Sequence, residues 1–356
     1  MSPMKISTLF ALGAAMLFGA ATPVSKLLLG SVNPFLLAGL LYFGAGLFLA
    51  PRALRSDLRG KLRSADRKNK VYVAGSVVFG GITGPVLMLF GLELAKSASV
   101  SLWLNMEMVA TMLLGHFLFK DRMTKRGTVA ATGILCASIL LSLDGSPVSL
   151  SGGLLVAGAC LCWGLDNHFT ALIDSLSPEE STFVKGIAAG VTNLLAGLLV
   201  AGKAPLSASS IVFSLAIGAL SYGMSIVLYI SAAQGLGATR AQLIYSSLSV
   251  FGILLACILV KETILPMQVV AMALMALSYA LLFSEKHEHA HEHQAVTHTH
   301  WHRHGELHHD HTHDSLSVAA AVFGHTHEHH HEALAHSHPH VPDIHHRHTH
   351  QTDRAR

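Results

Sequence analysis

Glu107, Asp166 and Lys185 are charged, and Asn105 and Asn167 polar, where the sequence around them is apolar. A charge at the centre of a bilayer costs roughly 2.5–3.5 kcal/mol on insertion scales, so such a residue faces a partner, a water-filled space or a pathway. Glu107 is flanked by Asn105 and, one turn on, by Thr111. A carboxylate with amide and hydroxyl neighbours suits a cation or an amino group. Burial favours the neutral form of a carboxyl, so the position also suits a proton carrier. The plainer alternative is a protonated Glu that hydrogen-bonds two helices together. Asp166 adjoins Asn167 and His168, with Thr170 one turn beyond. Lys185 is near enough in chain order to pair with Asp166 across a helical hairpin, and that pair either lines a path or only neutralises itself. His168 beside Asp166 is a minor candidate for a proton relay or a soft-metal contact. Asp121 and Glu262 lie at the ends of apolar runs, next to Lys120 and Lys261, and read as interfacial structural residues.

The elements that must position these groups follow from composition. Hydrophobic residues make up 51% of the 356 and charged residues 13%, where a soluble domain has about a quarter charged. The chain divides in two. Of the 24 Lys and Arg, 19 precede Ser284, with 11 of the 21 Asp and Glu, whereas 24 of the 26 His follow it. Ten apolar segments meet the length of about 20 residues that a bilayer core requires. They cover roughly 6–29, 34–51, 71–92, 97–119, 126–143, 150–173, 182–201, 209–232, 238–260 and 264–283. Runs of this length are helices, since barrel strands are about ten residues long and alternate. The first run is too long for a signal-peptide core of about 7–15 residues and reads as a retained span. Gly80-Gly81-Ile82-Thr83-Gly84-Pro85 should kink the third helix and free carbonyls that need polar neighbours or water. The four cysteines lie within apolar runs, without disulfide or zinc spacing, and read as buried small apolar residues.

The loops vote on orientation. Arg52, Arg55, Arg59, Lys61, Arg63, Arg67, Lys68 and Lys70 crowd one connection, and Lys120, Arg122, Lys125 and Arg126 another. Both lie on the same side if the N-terminus is cytoplasmic, and ten spans return the C-terminus to the cytoplasm. An internal repeat is also visible. Residues 97–141 align without gaps on residues 238–282, placing Lys120-Asp121 on Lys261-Glu262, and Phe18-Gly19 corresponds to Trp163-Gly164. A unit of five helices forces opposite orientations on its two copies. Inverted repeats of this kind are the architecture of secondary transporters, with the site at the repeat interface near mid-membrane.

These features carry a resemblance. The paired apolar helices ending in Asp121 and Glu262, each followed by a Gly- or Ala-rich helix, resemble the EamA-type ten-helix branch of the drug/metabolite transporter superfamily over residues 6–283. Ser101–Glu107 (SLWLNME), Cys160–Thr170 (CLCWGLDNHFT) and Val184–Gly190 (VKGIAAG) are similar to motifs of one subgroup, with His168 standing where an Asn is expected and Asp121 where a Glu is usual. The resemblance implies an all-α integral membrane protein: ten transmembrane helices as two inverted five-helix repeats, residues 1–143 and 144–284, in the cytoplasmic (inner) membrane. It implies solute movement by alternating access, frequently export. Substrate-binding residues are then Glu107, Asn105, Asp166, Asn167 and Lys185, with a proton as a candidate coupling ion and a homodimer as one option for assembly. No nucleotide loop, nucleophile motif or catalytic metal constellation is present, so an enzyme is not expected, and neither is a nucleic-acid partner or a required cofactor.

Residues 285–356 have no counterpart in that pattern. Their apolar content is too low for a core, so disorder is expected. The candidate metal ligands are His287, His289, His291, His293, His298, His300, His302, His304, His308, His309, His311, His313, His325, His327, His329, His330 and His331. Neutral imidazole suits Zn, Ni, Co and Cu. Without the fixed spacing of a structural zinc module, many exchangeable sites are expected. Three functions fit the whole chain: a secondary transporter of a small organic metabolite with a cytosolic metal-binding tail, a divalent transition-metal exporter, and a membrane-anchored metal buffer or sensor.

Overall fold

The computed structural model describes residues 3–118, 125–142, 147–201, 206–236, 238–283, 288–293, 296–302, 325–331 and 334–339. Its body is all helical. The first apolar run is two helices, α1 (Pro3–Gly19) and α2 (Ala21–Leu29), and α3 (Pro34–Ala53) returns across the bundle. A short α4 (Leu58–Ser64) breaks the basic connection. The third run is α5 (Arg67–Gly75), a π-helical stretch Ser76–Thr83, and α6 (Gly84–Leu94). Then come α7 (Ser97–Trp103), α8 (Met106–Leu118), α9 (Lys125–Ser142), α10 (Pro147–Leu172) and α11 (Pro178–Ala201). The eighth run is α12 (Ala208–Ile217), a second π-helical stretch Gly218–Met224, and α13 (Ser225–Leu236). The last are α14 (Ala238–Tyr245), α15 (Leu248–Leu255) with a π-helical end Ala256–Val260, and α16 (Pro266–Phe283).

Local chemistry sets the ends. Asn33 caps α3 by accepting from the Phe35 amide at 2.9 Å, with Pro34 at the first helical position. Asp57 and Asp66 cap α4 and α5. The Asn69 amide and side chain both bond Asp66 and hold its carboxyl below the usual range. Ser177 and Glu180 form a reciprocal capping box at α11, with Ser177 N to Glu180 Oε2 at 2.7 Å and Glu180 N to Ser177 Oγ at 3.2 Å. The basic connection docks here: Lys61 pairs with Glu180 at 2.7 Å and Arg52 with Glu179 at 3.8 Å.

Among the described residues, six helical segments are long and apolar enough to cross a membrane: Ile6–Leu29, Pro34–Ala53, Arg67–Leu94, Ser97–Leu118, Pro178–Val200 and Ala208–Ala233. Their outer faces present large apolar side chains, Leu199 at 87% exposure and Phe117 at 74% among them. A belt of that kind needs lipid rather than water against it. The protein is a multi-pass membrane protein. Helices pair across the bundle: α3 on α11, α9 on α16, α10 on α6 and α8, and α1 on α13, α14 and α15. Helices α3 and α11 approach closely, so that a Cβ on Gly186 would meet the Gly46 backbone nitrogen at 2.7 Å. Small residues let membrane helices touch along their backbones in this way.

Two expectations need correction. The segments 97–119 and 238–260 are not single helices but break at Leu104–Asn105 and Ser246–Ser247. The cysteines are free, but only Cys160 is buried; Cys136 is exposed on the lipid-facing surface, where a small apolar side chain is equally at home. The tail also differs from the expected disorder. Four strands, β1 (Glu288–His293), β2 (Val296–His302), β3 (His325–His331) and β4 (Leu334–Pro339), pair antiparallel, β1 with β4 and β2 with β3. Both ladders keep one register, placing His289 opposite His338, His291 opposite His336, His298 opposite His329 and His300 opposite His327. The alternating sequence, with Thr and Val among the intervening residues, has the period of a strand. Asp121 and the remaining tail histidines (His287, His304, His308, His309, His311 and His313 among the candidate ligands) lie outside the described residues.

Candidate functional site

The broken helix α7–α8 brings the first candidate residues into the bundle. Where the helix stops at Leu104, Asn105 takes over the bonding. Its Nδ2 donates to Leu102 O at 2.9 Å and Ser249 Oγ at 2.7 Å and lies 3.3 Å from Met275 Sδ, while its Oδ1 accepts from Tyr279 OH at 2.7 Å. Cys160 Sγ approaches the carbonyls of Trp103 and Leu104 at 3.7 and 3.9 Å, so the break leaves polar groups that neighbouring helices satisfy. Asn105 is therefore committed to α15 and α16. Glu107, two residues on, faces another way, as residues two apart on a helix do.

Glu107 is buried in the first turn of α8. Its Oε1 accepts from Asn167 Nδ2 at 2.9 Å, and the same amide reaches Thr111 Oγ1 at 3.1 Å. His168 Nε2 lies 2.9 Å from the Thr111 carbonyl. Glu107 and Asn167 thus meet, with His168 held against the backbone of α8.

Asp166 belongs to a separate, closed group. Lys185 Nζ sits 2.7 and 2.6 Å from its two carboxyl oxygens, Ser76 Oγ donates at 2.6 Å and Thr170 Oγ1 at 3.1 Å. The π-helical stretch makes room for it: a Cβ on Gly80 would overlap the Asp166 carboxyl. The carbonyls this stretch frees are satisfied by side chains. Gly80 O accepts from Tyr42 OH at 2.6 Å and Trp163 Nε1 at 3.1 Å, and Gly81 O from Asn193 Nδ2 at 3.1 Å. The glycine run was legible as a point of strain, and polar neighbours rather than a full break resolve it.

Charge separates the two carboxylates. Asp166 is matched by Lys185. Both lie within electrostatic reach of Glu107, which has no cation in contact among the described residues. Beside Glu107 stands an aromatic cluster that sequence reasoning did not assemble. Phe18 meets Trp163 at 6.2 Å edge to face, Tyr222 at 5.2 Å and Tyr245 at 5.9 Å, and Tyr229 meets Tyr245 at 4.8 Å. Glu107 interacts electrostatically with Tyr229, Tyr245 and Tyr279. The Tyr222 hydroxyl is buried without a hydrogen-bond partner among the described residues. One signal did exist: Phe18 and Trp163 occupy matching places in the repeat. No group of three His, Cys, Asp or Glu residues suited to a metal occurs among the described residues. What the site offers is a carboxylate with an amide donor, ready to exchange that bond for a proton, an ammonium or another cation.

Comparison with known proteins fits this geometry. The model of the EamA-like transporter family matches residues 5–143 and 150–284. The chain is 25% identical over 275 residues to an uncharacterized transporter of Methanothermobacter thermautotrophicus, covering 72% of this chain and 79% of that protein. It is similar in fold to a protein of known crystal structure, with a TM-score of 0.58 at 20% identity over 78% of this chain and 95% of the other.

Proposed function

The chain belongs to the EamA-like transporter family, and from that premise we propose that this membrane transporter is secondary active, exporting a small organic metabolite from the cytoplasm, with Glu107 at the centre of its site. The observation that carries the proposal is the unmatched buried carboxylate. Glu107 sits beside a helix break, answered by the neutral Asn167, whereas Asp166 in the same bundle already has its cation. A buried anion kept without a partner is costly unless it exchanges a proton or a solute. Asn167 is the second site residue. Asp166 and Lys185 border the site as a matched pair, and Asn105 holds the break. The proposed driving force is an ion or solute gradient, with the proton as the candidate carried by Glu107.

The architecture of the proposal is ten spans in two inverted halves, residues 1–143 and 144–284. Three regularities support it. In the gap-free register that sets Ser97 on Ala238, the π-helical stretch Ser76–Thr83 falls on residues 217–224, which nearly coincide with Gly218–Met224. The break at Leu104–Asn105 falls on Tyr245–Ser246, beside the observed one. Packing of α10 on α6 and α8 mirrors packing of α1 on α13 and α14–α15. The basic connections favour cytoplasmic termini in the inner membrane.

We assign the histidine tail to binding Zn, Ni, Co or Cu on the cytoplasmic side. The same tail motivates the competing readings, a metal exporter or a metal buffer. One experiment separates all three. Cells would express the full chain, Glu107→Gln, or a chain ending at Ser284, with cellular metals and exported metabolites both measured. Export of an organic solute by the full chain and the shortened chain, lost in Glu107→Gln at normal membrane abundance, is the expected result. Retained export in Glu107→Gln overturns the site. A metal that falls only when Glu107 is intact makes the body a metal exporter. Metal retention that follows the tail alone makes the protein a buffer.

A further inference from the structure

The end of the bundle near the α6–α7 turn is tied shut by side chains that the site does not use. Lys26, from α2, donates to Leu92 O at 2.7 Å, Ala95 O at 2.9 Å and Glu93 O at 3.2 Å. Its ammonium thus answers the last free carbonyls of α6. Two residues further along the chain, the carboxylate of Glu262 takes over. It accepts from Ser97 N at 2.9 Å, Ser97 Oγ at 2.8 Å and Ala98 N at 2.9 Å. Glu262 follows Lys261, whose left-handed backbone (φ 58°) turns the chain out of α15 and aims the next side chain at α7. A third tie comes from Gln268, which donates to Ser99 Oγ at 3.0 Å while capping its own helix through Leu265 N at 2.8 Å. One turn between α6 and α7 is thereby held from both sides, by the first span and by the link between the ninth and tenth.

We propose that Lys26 and Glu262 form a latch that closes this end of the transporter, and that opening the end to solvent requires both to release the α6–α7 turn. The bonds themselves argue for this role. All six contacts of the two charged groups go to one short turn: the three of Lys26 tie the first span to it within one half of the chain, and the three of Glu262 reach it from the other half. Charge-assisted bonds of this type are among the stronger non-covalent ties, yet they break without disturbing a packed apolar core. The opposite end is built differently. In the repeat register Lys26 falls on Ala171, Gln268 on Gly127 and Ser99 on Arg240, so the lysine and glutamine ties have no equivalent there. That end carries instead the Lys61–Glu180 and Arg52–Glu179 pairs. A transporter that alternates its access needs two closures that release separately, and these are two separate sets. The inference rests on the transport reading but not on which solute is moved.

The test uses two buried hydroxyls that make no hydrogen bond among the described residues, so replacing them costs none there. Ser25 adjoins Lys26 at the latched end, and Thr182 lies near Glu180 at the other. Ser25→Cys and Thr182→Cys would be made separately in the full chain with its four cysteines replaced by Ala. Each would be labelled with a hydrophilic maleimide in lipid nanodiscs. Adding Glu262→Gln, or Lys26→Met, should speed labelling of the Ser25→Cys thiol by roughly tenfold or more, the worth of about one charge-assisted bond. Labelling of the Thr182→Cys thiol should stay level or fall. Unchanged protection of the Ser25→Cys thiol overturns the latch. So does a rise at both thiols, which marks a bundle loosened throughout. Glu262→Asp, keeping the charge on a shorter arm, should give an intermediate rate. Labelling needs no substrate, so its outcome is independent of whether Glu107→Gln stops export.

Discussion

Replacing Asp166 with Asn should strand the Lys185 ammonium inside the bundle. In the native protein that ammonium lies 2.7 and 2.6 Å from the two carboxyl oxygens, and the Lys185 side chain is 5% exposed. Removing one partner of a buried ion pair costs about 3–5 kcal/mol, because the other charge stays buried without compensation. At a few degrees per kcal/mol for a chain of this size, the melting midpoint should fall on the order of 10 °C. The double variant Asp166→Asn with Lys185→Met removes both charges. Its amide oxygen still accepts from Ser76 and Thr170, and the Met fills the lysine's volume. Its midpoint should return to within a few degrees of the native value. The assay is thermal unfolding of detergent-solubilised protein followed by size-exclusion peak height, with export measured on the same variants. If Asp166→Asn alone melts normally, or if the double variant melts as low as the single, the pair is not the structural unit described here. Export by the double variant then separates roles: stability restored with export lost places the pair in the pathway as well as in the scaffold.

Gly80→Ala should destabilise the protein by about 1–3 kcal/mol, since the new methyl overlaps the Asp166 carboxyl and the π-helical stretch cannot move without losing the Tyr42 and Trp163 bonds; a midpoint unchanged by the same assay argues against that tight approach. Metal binding by the tail should be intact near pH 7.5 and lost as the pH falls through about 6, because a coordinating imidazole must be neutral and protonation competes with the metal. Zinc titration of the full chain by calorimetry at both pH values reads this directly, and equal binding at pH 5 refutes imidazole coordination.

Much of this was open to sequence reasoning for a simple reason: lipid imposes length and polarity on a span with little tolerance. The Asp166–Lys185 contact was legible because a helical hairpin brings residues 19 apart together, and the Gly80-Gly81 run because glycine there weakens a helix. Other features were hidden. The breaks at Leu104–Asn105 and Ser246–Ser247 fall among residues that continue a helix elsewhere, so only packing against other spans creates them. Grouping Asn105 with Glu107 was avoidable, since a separation of two places them on different faces. Tyr222, Tyr245 and Lys26 gave no local signal, because their partners come from segments distant in the chain.

The proposed repeat offers a reason why one carboxylate is unmatched and the other is not. In the register of the two halves, Glu107 falls on Leu248, so the break in α14–α15 carries no acid where the break in α7–α8 does. On the proposed repeat the paired spans share their bends, while the unmatched acid Glu107 belongs to the first half and the matched Asp166–Lys185 pair to the second. Symmetric bends let both halves move alike, which alternating access requires. A single unmatched acid near the interface can then face either opening in turn without a second charge competing for the same proton or cation. Asp166 does not compete, because Lys185 neutralises it in place. On this argument, moving the acid across the repeat, as Glu107→Leu with Leu248→Glu, should leave a bundle that folds but exports nothing. Glu107 depends on the Asn167 amide 2.9 Å away, and the position matching Asn167 in the first half is Thr22, too short to supply that bond. Export by the swapped variant at normal abundance would mean that the repeat alone, and not the pairing of Glu107 with Asn167, defines the site.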